Sequence, residues 1–224
     1  MSADNPEAIR VRLPHLTLQG LLDLPAGCSG LVLFVHGSGS SRFSPRNRQV
    51  AAQLRDAGLG TLLFDLLTPQ EAQVDEHTRH YRFDIRLLSD RVVQVLDWCA
   101  ARHNLRELRA GLFGASTGAA AALVAAAERP LRVAAVVSRG GRPDLAGAAL
   151  ARVQAPTLLI VGGLDREVLE LNRDAAAQLR CEHRVDVVPG AGHLFEQPDA
   201  LEQVAALAAR WFVRHLGGTP RSPG

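Results

Sequence analysis

Eight short runs of aliphatic and β-branched residues punctuate this chain, and segments with helical spacing of apolar positions separate most of them. That alternation points to an α/β fold with a mainly parallel central sheet flanked by helices, since strands that run the same way need crossover segments between them. The runs place strands at Ile9 to Leu13, Thr17 to Leu24, Leu31 to His36, Gly60 to Asp65, Leu108 to Phe113, Val133 to Ser138, Thr157 to Val161 and Arg184 to Val188. The first two are expected to pair antiparallel at an edge. Helices are expected at Pro45 to Ala57, Phe83 to His103, Ser116 to Glu128, Asp144 to Arg152, Glu167 to Arg180 and Ala200 to His215. In the last, Val204, Ala208, Trp211, Phe212 and His215 share a face, the mark of a helix docked on a core. The stretch Thr68 to His80 reads as a polar insertion after a strand's C-terminal end, where open α/β sheets place their ligands.

The 224 residues and 47% hydrophobic content suit one domain with a full core, taken here as 1–216, with 217–224 a frayed tail. The opening M-S-A-D-N-P-E-A-I-R has no apolar leader and no run is long enough to span a bilayer, so a cytoplasmic location without membrane contact is expected. Cys28, Cys99 and Cys181 are far apart and form no metal or redox spacing. A formal charge of +2 carried by scattered arginines gives no nucleic-acid footprint. Lysine is absent altogether, which excludes a Walker A loop and a pyridoxal phosphate Schiff base in their usual forms. No cofactor is called for.

The pentapeptide Gly114-Ala115-Ser116-Thr117-Gly118 lies where a predicted strand turns directly into a predicted helix. G-x-S-x-G at such a point describes a sharp turn that lifts a nucleophilic serine above the sheet edge, with the helix N-terminus favouring negative charge nearby. A serine hydroxyl needs an imidazole to take its proton and a carboxylate to hold that imidazole's tautomer. Two other strand ends supply them. Thr157 to Val161 runs into Gly162-Gly163-Leu164-Asp165, and Val185 to Val188 into Pro189-Gly190-Ala191-Gly192-His193. Alone, Asp165 reads as a helix N-cap and His193 as a loop residue. Together, in the order Ser116, Asp165, His193, they match the chain order of the α/β-hydrolase triad. Asp144 competes as the acid but sits after R-G-G-R-P, where it reads as a cap for the next helix. The loop His36-Gly37-Ser38-Gly39 can aim the Ser38 amide at the point reached by the Thr117 amide, forming an oxyanion hole. It fails as a dinucleotide loop because Arg42 stands where a third glycine belongs.

With these residues in place the chain resembles the α/β-hydrolase superfamily and, within it, the dienelactone hydrolase family. The likeness runs from Val32 to Leu216 and includes H-G-S-G-S-S-R at 36 to 42, F-D-L-L-T at 64 to 68, H-Y-R-F-D-I at 80 to 85 and S-R-G-G-R-P-D at 138 to 144. The namesake enzymes carry cysteine as nucleophile, so Ser116 marks a serine-bearing branch. The resemblance implies an α/β-hydrolase fold and a small-molecule ester or lactone substrate. The short 139–155 connection leaves no room for a lid domain. Family members hold anionic substrates with arginines, which makes Arg42 and Arg139 candidates for substrate binding. The structural alternatives are pairs of Arg42 with Asp65 or Glu71 and of Arg139 with Asp144. Two rival functions stand beside esterase chemistry. One is a catalytically silent binding protein on the same fold. The other is a metal-dependent hydrolase using Glu76, His77 and His80 with His36 or Asp65, although the site expected from the triad contains no metal. An oligomeric partner is not legible.

Overall fold

The computed structural model describes residues 6–217. Eight strands form one sheet: β1 Glu7–Arg12, β2 Thr17–Asp23, β3 Gly30–Val35, β4 Gly60–Phe64, β5 Arg109–Ala115, β6 Val133–Arg139, β7 Thr157–Gly162 and β8 His183–Val188. Their order across the sheet is β1-β2-β4-β3-β5-β6-β7-β8. β1 pairs antiparallel with β2 and β2 antiparallel with β4, and every other neighbour is parallel. All eight predicted strands are present with ends shifted by one or two residues. β3, β4 and β7 are buried along their whole length, which is why they read as unbroken apolar runs.

Six α-helices are present among the described residues: α1 Pro45–Asp56, α2 Pro69–Thr78, α3 Ile85–Ala100, α4 Thr117–Glu128, α5 Arg166–Ala176 and α6 Ala200–Leu216. α1 and α6 cover one face, where Val50, Leu54, Val204, Ala208 and Phe212 meet Phe34, Phe113, Val137 and Ile160. α3, α4 and α5 cover the other, where Val92, Leu96, Leu123 and Ala175 meet Leu33, Leu112, Val136 and Leu159. α4 is buried from Thr117 through Leu123, so its run of alanines lets it lie close between the sheet and α3.

Two expectations need correction. The helix foreseen at Asp144 to Arg152 is a run of 3-10 turns over Pro143–Arg152, interrupted at Gly147, whose φ of 52° and ψ of −131° break the helical path. The polar insertion at Thr68 to His80 is mostly the helix α2. The anticipated tail lies outside the described residues beyond Gly217. Among the described residues no separate lid domain interrupts the fold, and no helix is long and apolar enough to cross a membrane.

β3 has β4 on one side and β5 on the other, so the chain reverses its direction of travel across the sheet at that pair. A crevice opens at the C-terminal ends of strands at such a reversal. His36-Gly37-Ser38 leaves β3 there and Ser116 leaves β5.

Candidate active site

Ser116 stands between β5 and α4 with φ 51° and ψ −124°, a conformation costly for any residue with a Cβ. Its surroundings impose the turn. Its amide donates to Arg139 O at 3.3 Å, and its carbonyl accepts from the amides of Ala119 and Arg142, each at 3.1 Å. The flanking glycines are steric necessities: a Cβ at Gly118 would lie 2.2 Å from Val35 O, and one at Gly114 2.5 Å from the Ala119 Cα. The Ser116 side chain makes no capping bond to α4, although it occupies the N-cap position.

Asp165 occupies the N-cap position of α5 but does not cap it. Its Oδ2 instead lies 2.6 Å from His193 Nδ1. That bond directs His193 Nε2 away from the carboxylate as the free acceptor. Two backbone bonds fasten the loops that carry this pair: Gly163 N donates to Val188 O and Leu164 N to Ala191 O, each at 2.9 Å. The His193 loop is anchored further by Phe195, only 2% exposed, and by the Gly192 amide donating to Gln197 Oε1 at 3.0 Å. His193 comes close to the elbow through Gly140, the residue after Arg139: a Cβ there would be 3.8 Å from His193 Cε1. Among the described residues no hydrogen bond yet joins Ser116 Oγ to His193, and such bonds commonly tighten only around bound substrate. Asp144, the rival acid, is engaged by Arg142 in a two-pronged pair at 2.9 and 2.7 Å.

Gly37 packs against the elbow, a Cβ there lying 3.1 Å from the Ser116 Cβ, which brings the β3 loop up to Ser116. One detail differs from expectation. The Ser38 amide donates to Thr117 Oγ1 at 3.0 Å and so already has a partner. The loop is held from behind by His36, 7% exposed, whose Nδ1 donates to Gly37 O at 2.9 Å while Nε2 accepts from the Leu66 amide at 3.0 Å. The bond accepted by Nε2 requires a neutral imidazole, and burial lowers the His36 pKa in the same sense.

A cavity of about 590 Å³ opens beside this loop, lined by Ser38, Ser41, Arg42, Asp65, Ala72 and Arg82 among others. α2 forms one wall. It starts with a capping box in which Thr68 Oγ1 accepts from the Glu71 amide and Glu71 Oε2 from the Thr68 amide. Asp75, 2% exposed, accepts from the amides of Tyr81 and Arg82 and pairs with the Arg82 guanidinium, tying α2 to the entry of α3.

A model of the dienelactone hydrolase family matches residues 20–216 of this chain. The chain belongs to the dienelactone hydrolase family. A dienelactone hydrolase from Anabaena variabilis is 56% identical, with 94% of this chain and 97% of that one covered at a TM-score of 0.93. A Mycobacterium tuberculosis protein named "Putative phosphoribosyl transferase" is 54% identical over 220 residues, which are 97% of this chain but 49% of that protein. The chain therefore spans about half the length of the curated relatives it matches. Est1E from Butyrivibrio proteoclasticus, solved with ferulic acid, shares the fold at a TM-score of 0.80 and 15% identity.

In this dienelactone hydrolase family member the two candidate arginines part ways. Arg42 is held by Asp65, through the backbone amide at 2.7 Å and through a guanidinium pair, and lies over the Phe43 ring. That pairing fixes the far end of the β3 loop, and Arg42 also lines the cavity beside it. Arg139 is 8% exposed, and Asp144, its supposed partner, is taken by Arg142. The residues of the metal alternative do not converge: among the described residues no three His, Cys, Asp or Glu side chains are grouped to hold a metal ion. His36 and Asp65 are both committed elsewhere. Sequence reasoning missed the pinning role of His36, the Phe195 anchor and α2. Only α2 left a signal, the T-P-Q-E sequence of its capping box.

Proposed function

We propose that this chain is a serine hydrolase that cleaves carboxylic esters or lactones of small soluble substrates through an acyl-enzyme. The observation that carries the reading is Asp165, which leaves its own helix uncapped and gives its carboxylate to His193 beside a serine in a strained elbow. His193 Nε2 takes the Ser116 proton as Oγ bonds to the carbonyl carbon, and the carbonyl π pair moves to oxygen. The Thr117 amide, at the head of α4, is the standing donor to that oxyanion. The Ser38 amide joins when the Thr117 hydroxyl turns off it. Collapse expels the alkoxide, which receives the proton from His193, and water repeats the sequence to release the acid. The modest size of the neighbouring cavity, about 590 Å³ with Arg42, Asp65 and Arg82 in its lining, supports modest, water-soluble substrates over long acyl chains.

The name carried by the mycobacterial relatives suggests phosphoribosyl transfer as a second reading. The dienelactone hydrolase match accounts for 197 of the residues here, from 20 to 216, and half of those relatives has no counterpart in this chain. We therefore assign the transferase name to the half that this chain does not match.

A fluorophosphonate probe and a panel of p-nitrophenyl esters and lactones test the hydrolase reading. The protein should be labelled, and Ser116→Ala should abolish labelling and lower kcat by roughly 10⁴-fold or more with folding intact. Asp165→Asn should cost about 10⁴-fold and Asp144→Asn less than about threefold. An unlabelled protein would leave the fold as a binding module.

A further inference from the structure

The Ser116 elbow follows β5, the loops of Asp165 and His193 follow β7 and β8, and β6 lies between them in the sheet. The bend that leaves β6, Arg139 to Arg142, touches both sides. Arg139 O accepts the Ser116 amide at 3.3 Å, and the Arg142 amide donates to Ser116 O at 3.1 Å. Between these two bonds, the Gly140 amide donates to Ile160 O of β7 at 2.8 Å, and a Cβ at Gly140 would lie 3.1 Å from His193 O. Gly141 has no room for a side chain: a Cβ there would lie 2.0 Å from Ser138 Oγ and 2.5 Å from the Ala119 Cβ in the first turn of α4.

One side chain grips this bend from α5. Asn172 is 0% exposed, and its Nδ2 donates to Gly141 O at 3.0 Å and to Val168 O at 2.7 Å. Two carbonyl oxygens fix which way the amide lies, since only its nitrogen can donate to them. α5 is the helix whose N-cap position Asp165 occupies, and Asn172 lies about two turns along it on the same side. One helix thus presents a carboxylate to His193 at its start and an amide to the bend beside the elbow farther on. Packing alone does not account for that amide. Asn172 Oδ1 is buried with no hydrogen-bond partner, and so is Ser138 Oγ, which lies against the same glycine. A buried amide with an orphaned oxygen is destabilising where a leucine of similar volume carries no such cost.

Taken with the hydrolase reading on which it rests, this arrangement leads us to propose that Asn172 is a positioning residue that sets the separation of Ser116 from His193. It touches no substrate. Its bond to Gly141 O ties α5 to the bend, and the bend holds Ser116 through the Arg139 carbonyl and the Arg142 amide. Loss of that bond leaves the Asp165 to His193 contact standing, because Gly163 and Leu164 remain bonded to Val188 O and Ala191 O. What it releases is the placement of His193 Nε2 against Ser116 Oγ. Proton transfer needs those two atoms within hydrogen-bond reach, and a misplacement of about 1 Å costs about 100-fold in rate.

Active-site titration with a fluorophosphonate, followed by steady-state rates on a p-nitrophenyl ester, tests the role on the whole chain. Asn172→Leu removes both bonds, whereas Asn172→Ser can still bond back to Val168 O but falls short of Gly141. Both variants should titrate to completion at Ser116, more slowly than wild type. Their kcat per titrated site should fall about 10- to 100-fold while KM stays within about twofold. Val92→Ala, a truncation of a fully buried α3 side chain, is the control for lost stability: it should lower the melting temperature and leave kcat per titrated site unchanged. If Asn172→Leu does not fold, Asn172→Ser decides. The proposal is overturned if kcat per titrated site matches wild type and only the titratable fraction or the melting temperature drops, the mark of a purely structural amide. A raised KM with kcat unchanged overturns it as well. Wild type that takes no label at Ser116 would instead sink the hydrolase reading, and the positioning role with it.

Discussion

A side chain's chemistry here depends on which partner it is denied. His36 is kept neutral because its two nitrogens are spent in opposite senses, one donating to Gly37 O and one accepting from the Leu66 amide. Its folded pKa lies below the ordinary 6.5, so the unfolded chain takes up the proton first as pH falls. The stability this bond provides is whole above about pH 6.5 and drains away below it, by at most about 1.4 kcal/mol per pH unit. His215 is lowered in the same direction, by burial first, and adds to the wild-type slope. Melting temperature measured from pH 8 to 5 should therefore fall less steeply in His36→Gln, which starts lower at pH 8. Parallel curves would show that His36 is not the titrating group. The placement of Ser116, Asp165 and His193 at the C-terminal ends of β5, β7 and β8 was legible because each follows a strand end in the chain. The bonds of His36 were not, because they join segments that only the finished sheet brings together.

Strands announced themselves more clearly than helices. β3, β4 and β7 bury every residue, and burial of that kind leaves an uninterrupted apolar signature. α2 buries only Asp75 and has no apolar stripe, so periodicity could not find it. Its existence rests on ends rather than on a face: Thr68 and Glu71 at the start, Asp75 and Arg82 at the finish. Thr68→Ala should accordingly cost about 1 kcal/mol, a drop of roughly 2–4 °C in melting temperature. Amide exchange should speed up over 69–78 and stay unchanged in α4. An undisturbed helix would mean that the Asp75 hub alone suffices. At the other limit, the 3-10 turns at Pro143–Arg152 were mistaken for a helix because Ala, Leu and Arg favour one, and the Gly147 backbone overrules them.

At the scale of the molecule, the sheet reversal at β3 and β5 sets Ser116 and the β3 loop side by side, while Asp165 and His193 arrive from β7 and β8. The hydrolase match covers almost all of the described fold, whereas the mycobacterial relatives extend to about twice its length. This chain alone should then hydrolyse activated esters and transfer no phosphoribosyl group from phosphoribosyl diphosphate to a base. Detection of that transfer would reverse the assignment. The two backbone bonds between the β7 and β8 loops have a further consequence. Asp165 and His193 form one cassette with a fixed internal spacing, so any error in the site is a displacement of that cassette against the Ser116 elbow. Grafting either loop alone into a relative would break the spacing. Grafting 162–165 together with 188–193 would carry it intact.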